Sequence, residues 1–164
     1  MVSDKSSSTP TRCGYMELFM AEFFYAQYAL LFKEPGHFDD IALQFTLMEK
    51  RVWDAKTGLL HHGYNESRQQ TWADPKTGRS PSFWGRAISS YFMVLVDMLD
   101  FFPSIHVAKR DDLVAALQGL VEAVAKVHDP ATGVCRWEVL DQGGRQGNYL
   151  ESLASCIFVY GLYL

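Results

Sequence analysis

Two kinds of helical pattern alternate along the chain. From Tyr15 to Phe32 aromatic and aliphatic residues occupy nearly every helical face, with Glu17, Glu22 and Gln27 as the polar exceptions, which predicts a helix buried on most sides. Pro35 and Gly36 interrupt it, and Asp39 and Asp40 fall where the first turn of a new helix would favour negative charge. Phe38, Ile41, Phe45, Met48 and Val52 then recur at helical spacing, predicting a half-exposed helix that ends near Asp54. Residues 82–102 are again largely apolar, with Ser80 or Ser82 as the expected N-cap and Pro103 as the stop. Leu113, Leu117, Leu120, Val121, Val124 and Val127 form one face of a further half-exposed helix, and residues 148–164 predict a last one of the wrapped kind. Such alternation predicts an all-α fold of about five helices in alternating inner and outer hairpins.

The connections carry their own repeat. Asp54–Gly58, Asp74–Gly78 and Asp129–Gly133 all read Asp-x-x-Thr-Gly, a turn whose aspartate can bond its own backbone and whose glycine can take positive φ. The first and third copies each close a helix and lead into a short strand-like segment, at 59–64 and 134–140. Helix, turn and extended segment thus recur as one unit, a helical hairpin with a long outlet loop.

Polar chemistry collects in the first such outlet, residues 58–86, which hold His61, His62, Arg68, Arg86, Trp72 and Trp84. Two readings fit: a surface that grips a polar ligand, or an ordered loop whose indoles plug the domain. Trp84 and Arg86 fall at the start of a helix, where free backbone donors favour an anionic group. His62 can equally be a hydrogen-bonded loop histidine, and Arg86 can pair with Glu151 or Asp97 to satisfy the helix end.

Composition narrows the partners. The chain of 164 residues is one ordinary domain by length, and 15 basic against 19 acidic residues leave a net charge of −4, so no basic face exists to track nucleic acid. Residues 1–13 read as a flexible polar tail without the apolar core of a secretory signal, ahead of a domain at 14–164. The longest apolar run is far too short to span a bilayer, and the expected location is cytoplasmic. Cys13, Cys135 and Cys156 lack close spacing, and the histidines form no His-x-x-x-His pair, so no metal and no cofactor is expected.

The segments LFMAEFFYAQYA (18–29), WDAKTGLLHHGYNES (53–67), TWADPKTGRSPSFWGRA (71–87), VLVDMLDFFP (94–103) and GNYLESLASCIFVYGL (147–162) resemble unsaturated uronyl hydrolases. These are glycoside hydrolases of the unsaturated rhamnogalacturonyl and glucuronyl types, families 105 and 88. The resemblance implies a closed ring of six helical hairpins, an (α/α)6 toroid, of which this chain supplies roughly the last half. It also implies a reaction in pectin breakdown. An unsaturated uronyl oligosaccharide, left by a polysaccharide lyase, is protonated and hydrated at its C4–C5 double bond, and the resulting hemiketal opens and expels the neighbouring sugar.

By the same resemblance His62 is the site histidine, in His62-Gly63-Tyr64, while Trp84 and Arg86 are the pocket's Trp-x-Arg and Tyr149 lines its wall. The family's catalytic aspartate falls on Met16, which cannot donate a proton, so the acid is missing or is Glu17. A second pocket tryptophan falls on Ser90. The alternative function is a carbohydrate-binding or interaction remnant without turnover. A part-ring leaves helix faces open, so self-association is expected.

Overall fold

A computed structural model describes residues 12–102, 107–132 and 136–163. The elements run β1 (Arg12–Gly14), α1 (Tyr15–Leu31), α2 (His37–Val52), β2 (Gly63–Asn65), α3 (Gly85–Leu99), α4 (Val107–Ala125), β3 (Arg136–Trp137), β4 (Leu150–Glu151) and α5 (Ser152–Tyr163). Helix α3 packs on both α1 and α5, so these three lie side by side in one layer. A second layer backs the first, with α2 against α1, α4 against α3, and α2 against α4. Strands β1 and β2 pair antiparallel, as do β3 and β4. Of the expected tail, Arg12 and Cys13 belong to β1, and residues 1–11 lie outside the described residues. Pro103, the expected helix stop, also lies outside them, as do residues 133–135 of the second extended segment.

Local chemistry accounts for the helices. Asp39 and Asp40 stand in the first turn of α2 and Lys50 and Arg51 in its last, each sign at the end of the macrodipole that favours it. Phe38, Ile41, Phe45, Met48 and Val52 form its buried stripe. Across the interface α3 contributes Ile88, Tyr91, Phe92, Leu95 and Met98, all fully buried. Aromatic pairs tie the two layers together, Phe38 with Phe102 at 5.1 Å and Phe45 with Tyr91 at 5.9 Å, while Phe92 with Phe158 at 5.5 Å joins α3 to α5 within one layer. Burying a side chain such as Phe92 stabilises by roughly 1.5–3 kcal/mol. Lys109 meets Asp39 at 2.6 Å and holds α4 beside the start of α2. Among the described residues no helix is long and apolar enough to cross a membrane.

Two helices depart from the sequence expectation. Among its described side chains, helix α1 buries only the stripe Leu18, Glu22, Ala26 and Ala29, while Met20 and Phe24 on its other side are 69% and 68% exposed. Helix α5 starts at Ser152, four residues later than expected, because residues 150–151 are taken up by β4. It buries Ala154, Ser155 and Phe158 toward α3 and leaves Leu153, Val159 and Tyr163 open. Each sits at an end of the layer, so one neighbour covers it where a closed ring would supply two.

Glu22 is the polar member of the buried stripe of α1, 7% exposed, with Oε2 lacking a hydrogen-bond partner among the described residues. Burial, and then the charge of Asp40, push its carboxyl up to about 7. The folded state therefore holds this proton more tightly than the unfolded chain does. Its contribution to stability is complete below the unfolded pKa and is lost as pH rises through the folded one. Between about pH 5 and pH 8 the wild type should lose up to about 3 kcal/mol on this account, and Glu22→Gln should flatten that slope in urea unfolding. An equally steep slope in the variant would contradict the assignment.

Candidate active site

The repeated turns build the floor. In the first, the Asp54 carboxylate accepts hydrogen bonds from Thr57 N–H at 3.0 Å and Thr57 Oγ1–H at 2.8 Å, while Gly58 N–H donates to the Asp54 carbonyl at 2.8 Å. The second repeats this at Asp74, Thr77 and Gly78, and in the third the Asp129 carboxylate takes Thr132 N–H at 2.9 Å. For Asp54, burial opposes ionisation but the Thr57 bonds outweigh it, and the carboxyl falls below its ordinary value. Gly58 and Gly78 have φ of 74° and 77°, the left-handed region where glycine is unstrained. The segment 61–65 then runs antiparallel to 78–82, with Asn65 N–H to the Gly78 carbonyl at 2.8 Å and Ser80 N–H to the Gly63 carbonyl at 2.9 Å.

This pairing aims the two histidines apart. His61 Nδ1–H donates to the Ser80 carbonyl at 2.6 Å and its ring packs on Phe83. It lines a cleft of about 580 Å³ with Trp72, Asp74 and Arg79. Burial lowers the pKa of His61, holding the imidazole neutral. His62 Nδ1 lies 3.0 Å from both the Ser82 carbonyl and Ser80 Oγ. A carbonyl only accepts, so Nδ1 carries a proton, which leaves Nε2 for a ligand.

The His62 ring meets Trp84 edge to face at 6.0 Å, and the Arg86 guanidinium lies over the Trp84 ring at 4.8 Å. Arg86 Nη2 reaches Glu138 Oε1 at 3.5 Å, an ion pair too long for a strong hydrogen bond. Arg86 Nε is buried with no hydrogen-bond partner among the described residues. Tyr149 stands beside Glu138, where burial and then a hydrogen bond with that carboxylate raise its phenol. The outlet of α4 is pinned here by the backbone: Gly85 N–H donates to the Glu138 carbonyl at 2.7 Å, Trp84 and Val139 form a β-bridge, and Glu138 N–H donates to the Tyr149 carbonyl at 2.9 Å. A Cβ at Gly85 would stand 3.0 Å from the Trp137 carbonyl, so any larger residue would have to push that backbone back by a few tenths of an ångström.

The glycosyl hydrolase family 88 model matches residues 16–164. The chain belongs to that family. Protein Atu3128 of Agrobacterium fabrum is 36% identical over 141 residues, covering 85% of this chain and 58% of that protein. A family 105 glycoside hydrolase from C. acetobutylicum superposes with a TM-score of 0.88 at 44% identity, covering 92% of this chain and 41% of that one. A possible family 105 member from Salmonella enterica, 24% identical with a TM-score of 0.77, shares the fold over 99% of this chain and 39% of its own. The two helical layers are accordingly part of an α/α toroid, and the chain spans little more than half, or less, of the relatives it matches.

Of the family 88 site residues expected from sequence, His62, Trp84, Arg86 and Tyr149 fall in one cluster. Met16 and Glu17 lie in the first turn of α1, with side chains outside the described residues. Three expectations are corrected. The N-cap of α3 is Trp84, and neither Ser80 nor Ser82 caps the helix, because the Ser80 hydroxyl turns inward to His62 and accepts Gly63 N–H at 3.2 Å. Arg86 pairs with Glu138, since Asp97 is taken by the Tyr160 hydroxyl and Glu151 accepts the N–H of Ala154 in α5. The start of α3 offers an anion one backbone donor fewer than expected, because Gly85 N–H is already taken by the Glu138 carbonyl. Sequence reasoning missed Ser80 and Glu138. The repeated turn marks the second, since Glu138 follows the third Thr-Gly by five residues as His62 follows the first by four.

Gly78 tests the floor. A Cβ there would lie 2.6 Å from the Asn65 carbonyl and 2.9 Å from the Tyr64 ring, against a single 3.1 Å side-chain neighbour at Gly58. Gly78→Ala should cost about 2–4 kcal/mol in denaturant unfolding and Gly58→Ala about half as much; equal costs would contradict the geometry.

Proposed function

We propose that the cluster binds an unsaturated uronyl oligosaccharide of the rhamnogalacturonan-derived kind and that the chain descends from, or forms part of, a hydrolase acting on its C4–C5 double bond. The observation that carries this reading is the Arg86 guanidinium stacked on Trp84 beside His62, its side chain 42% exposed and held by Glu138 only across 3.5 Å. A uronate offers what this set lacks: a carboxylate for Arg86, an apolar ring face for the indole, and a hydroxyl for His62 Nε2. Glu138 holds Arg86 through one nitrogen and leaves the rest of the guanidinium to the ligand.

Catalysis needs a proton delivered to C4 and water to C5, after which the hemiketal opens and releases the neighbouring sugar. The acid assigned to that step is Glu17, next to Met16, where the family aspartate would fall. Methionine at that position favours a second reading, a carbohydrate-binding remnant without turnover.

Incubation with a lyase-generated unsaturated disaccharide separates the two, because hydration abolishes the ultraviolet absorbance of the conjugated acid. Loss of absorbance that disappears in Glu17→Gln supports catalysis by Glu17; loss that survives the substitution rejects that acid; binding without loss supports the remnant. In either case Arg86→Ala should weaken calorimetric binding by roughly 10–100-fold, the worth of a charge-assisted hydrogen bond. Wild-type affinity in Arg86→Ala would overturn the carboxylate assignment.

A further inference from the structure

The two ends of the helical layer carry a feature that the sugar site does not use. Of the fifteen large hydrophobic side chains exposed among the described residues, ten lie on α1 and α5, including Met20, Phe24 and Leu31 on the first and Leu153, Val159 and Tyr163 on the second. Tyr163 is 91% exposed. The sequence of α5 holds no charged residue, and Glu22, one of the two charged residues in the sequence of α1, is buried on the far side. Faces of this kind are poorly suited to water.

Their positions are as telling as their composition. Helix α3 stands between α1 and α5, so the two apolar faces look outward from opposite ends of one row. They are different surfaces, and a contact between them is head to tail, which builds a closed ring or an endless fibre according to the turn made by each copy. The toroid fixes that turn. Its inner layer holds six helices, this chain contributes three neighbouring ones, and two copies complete the circle. By length, too, one copy covers 41% of the family 105 relative.

We propose that two copies of this chain close head to tail into one ring, the α1 face of each seated on the α5 face of the other. Ten large side chains with about 100 Å² each still accessible give on the order of 1,000 Å² per copy, above the roughly 800 Å² per partner of a standard interface. The two-fold axis coincides with the ring axis, so both His62–Trp84–Arg86 clusters open on the same rim. Closure supplies the facing wall that a single copy lacks.

Light scattering after size exclusion should give twice the 18.6 kDa of one chain. Phe24→Asp and Val159→Asp should each yield monomer with wild-type circular dichroism, and an equimolar mixture of the two variants should recover a dimer, because one of its two interfaces is then free of substitutions. An independent measurement leaves the faces apolar: with Cys13 and Cys135 replaced by serine, Phe24→Cys should oxidise to an intermolecular disulfide with Cys156, which is exposed on α5. A soluble wild-type monomer would overturn the proposal and give the faces to a different polypeptide. So would an open polymer, a dimer broken by only one of the two aspartates, or a disulfide joining two copies of position 24.

Discussion

The hydrogen bond from Gly85 N–H to the Glu138 carbonyl, 2.7 Å long, sets the positions of Trp84, Arg86 and Tyr149 relative to one another. It caps the first turn of α3 from outside the helix and draws the outlet of α4 across it. Glycine eases the approach, since a Cβ would stand 3.0 Å from the Trp137 carbonyl. Once the two segments are joined, the side chains on either side of the junction have little choice. Trp84 bridges Val139, Arg86 faces Glu138, and Tyr149 enters through its backbone bond to Glu138. The segment carrying His62 arrives from the other direction, held by Ser80 and Ser82. A cation that would pair loosely on an open surface is thereby stacked, partly dried and aimed.

Helix periodicity was legible where one face is apolar and the other charged, as in α2, whose stripe from Phe38 to Val52 is the buried face observed. It misled where a helix is apolar all round. The apolar pattern of α1 does not say which of its faces is covered, and Met20 and Phe24 lie on a side that no described neighbour covers. Capping failed for a related reason. Ser80 and Ser82 have the right chemistry for an N-cap, but the pairing of 61–65 with 78–82 turns the Ser80 hydroxyl to the histidine, a long-range choice that local sequence does not encode. The partner of Arg86 was out of reach too. Glu138 lies 52 residues away, and only the third copy of the Asp-x-x-Thr-Gly turn marks its segment.

The repeat also explains why the cluster exists. The first and third turns each follow a helix, and within six residues of each of the three Thr-Gly pairs comes a member of the cluster: His62, Trp84 and Glu138. The aspartate of each turn accepts the N–H of its own threonine, so direction is set locally and the three outlets converge without a large sheet to guide them. Family 88 membership and the toroid account for the stacked hairpins from which these outlets leave. The same toroid leaves a partial ring with apolar ends.

The central claim is that Arg86, stacked on Trp84, reads the carboxylate of a uronic acid. Calorimetry of the unsaturated uronyl disaccharide against its methyl ester, one methyl group larger but uncharged, tests it most directly. The free acid should bind at least about tenfold more tightly at low salt, with the gap narrowing as salt rises. Equal affinity for acid and ester would contradict the account.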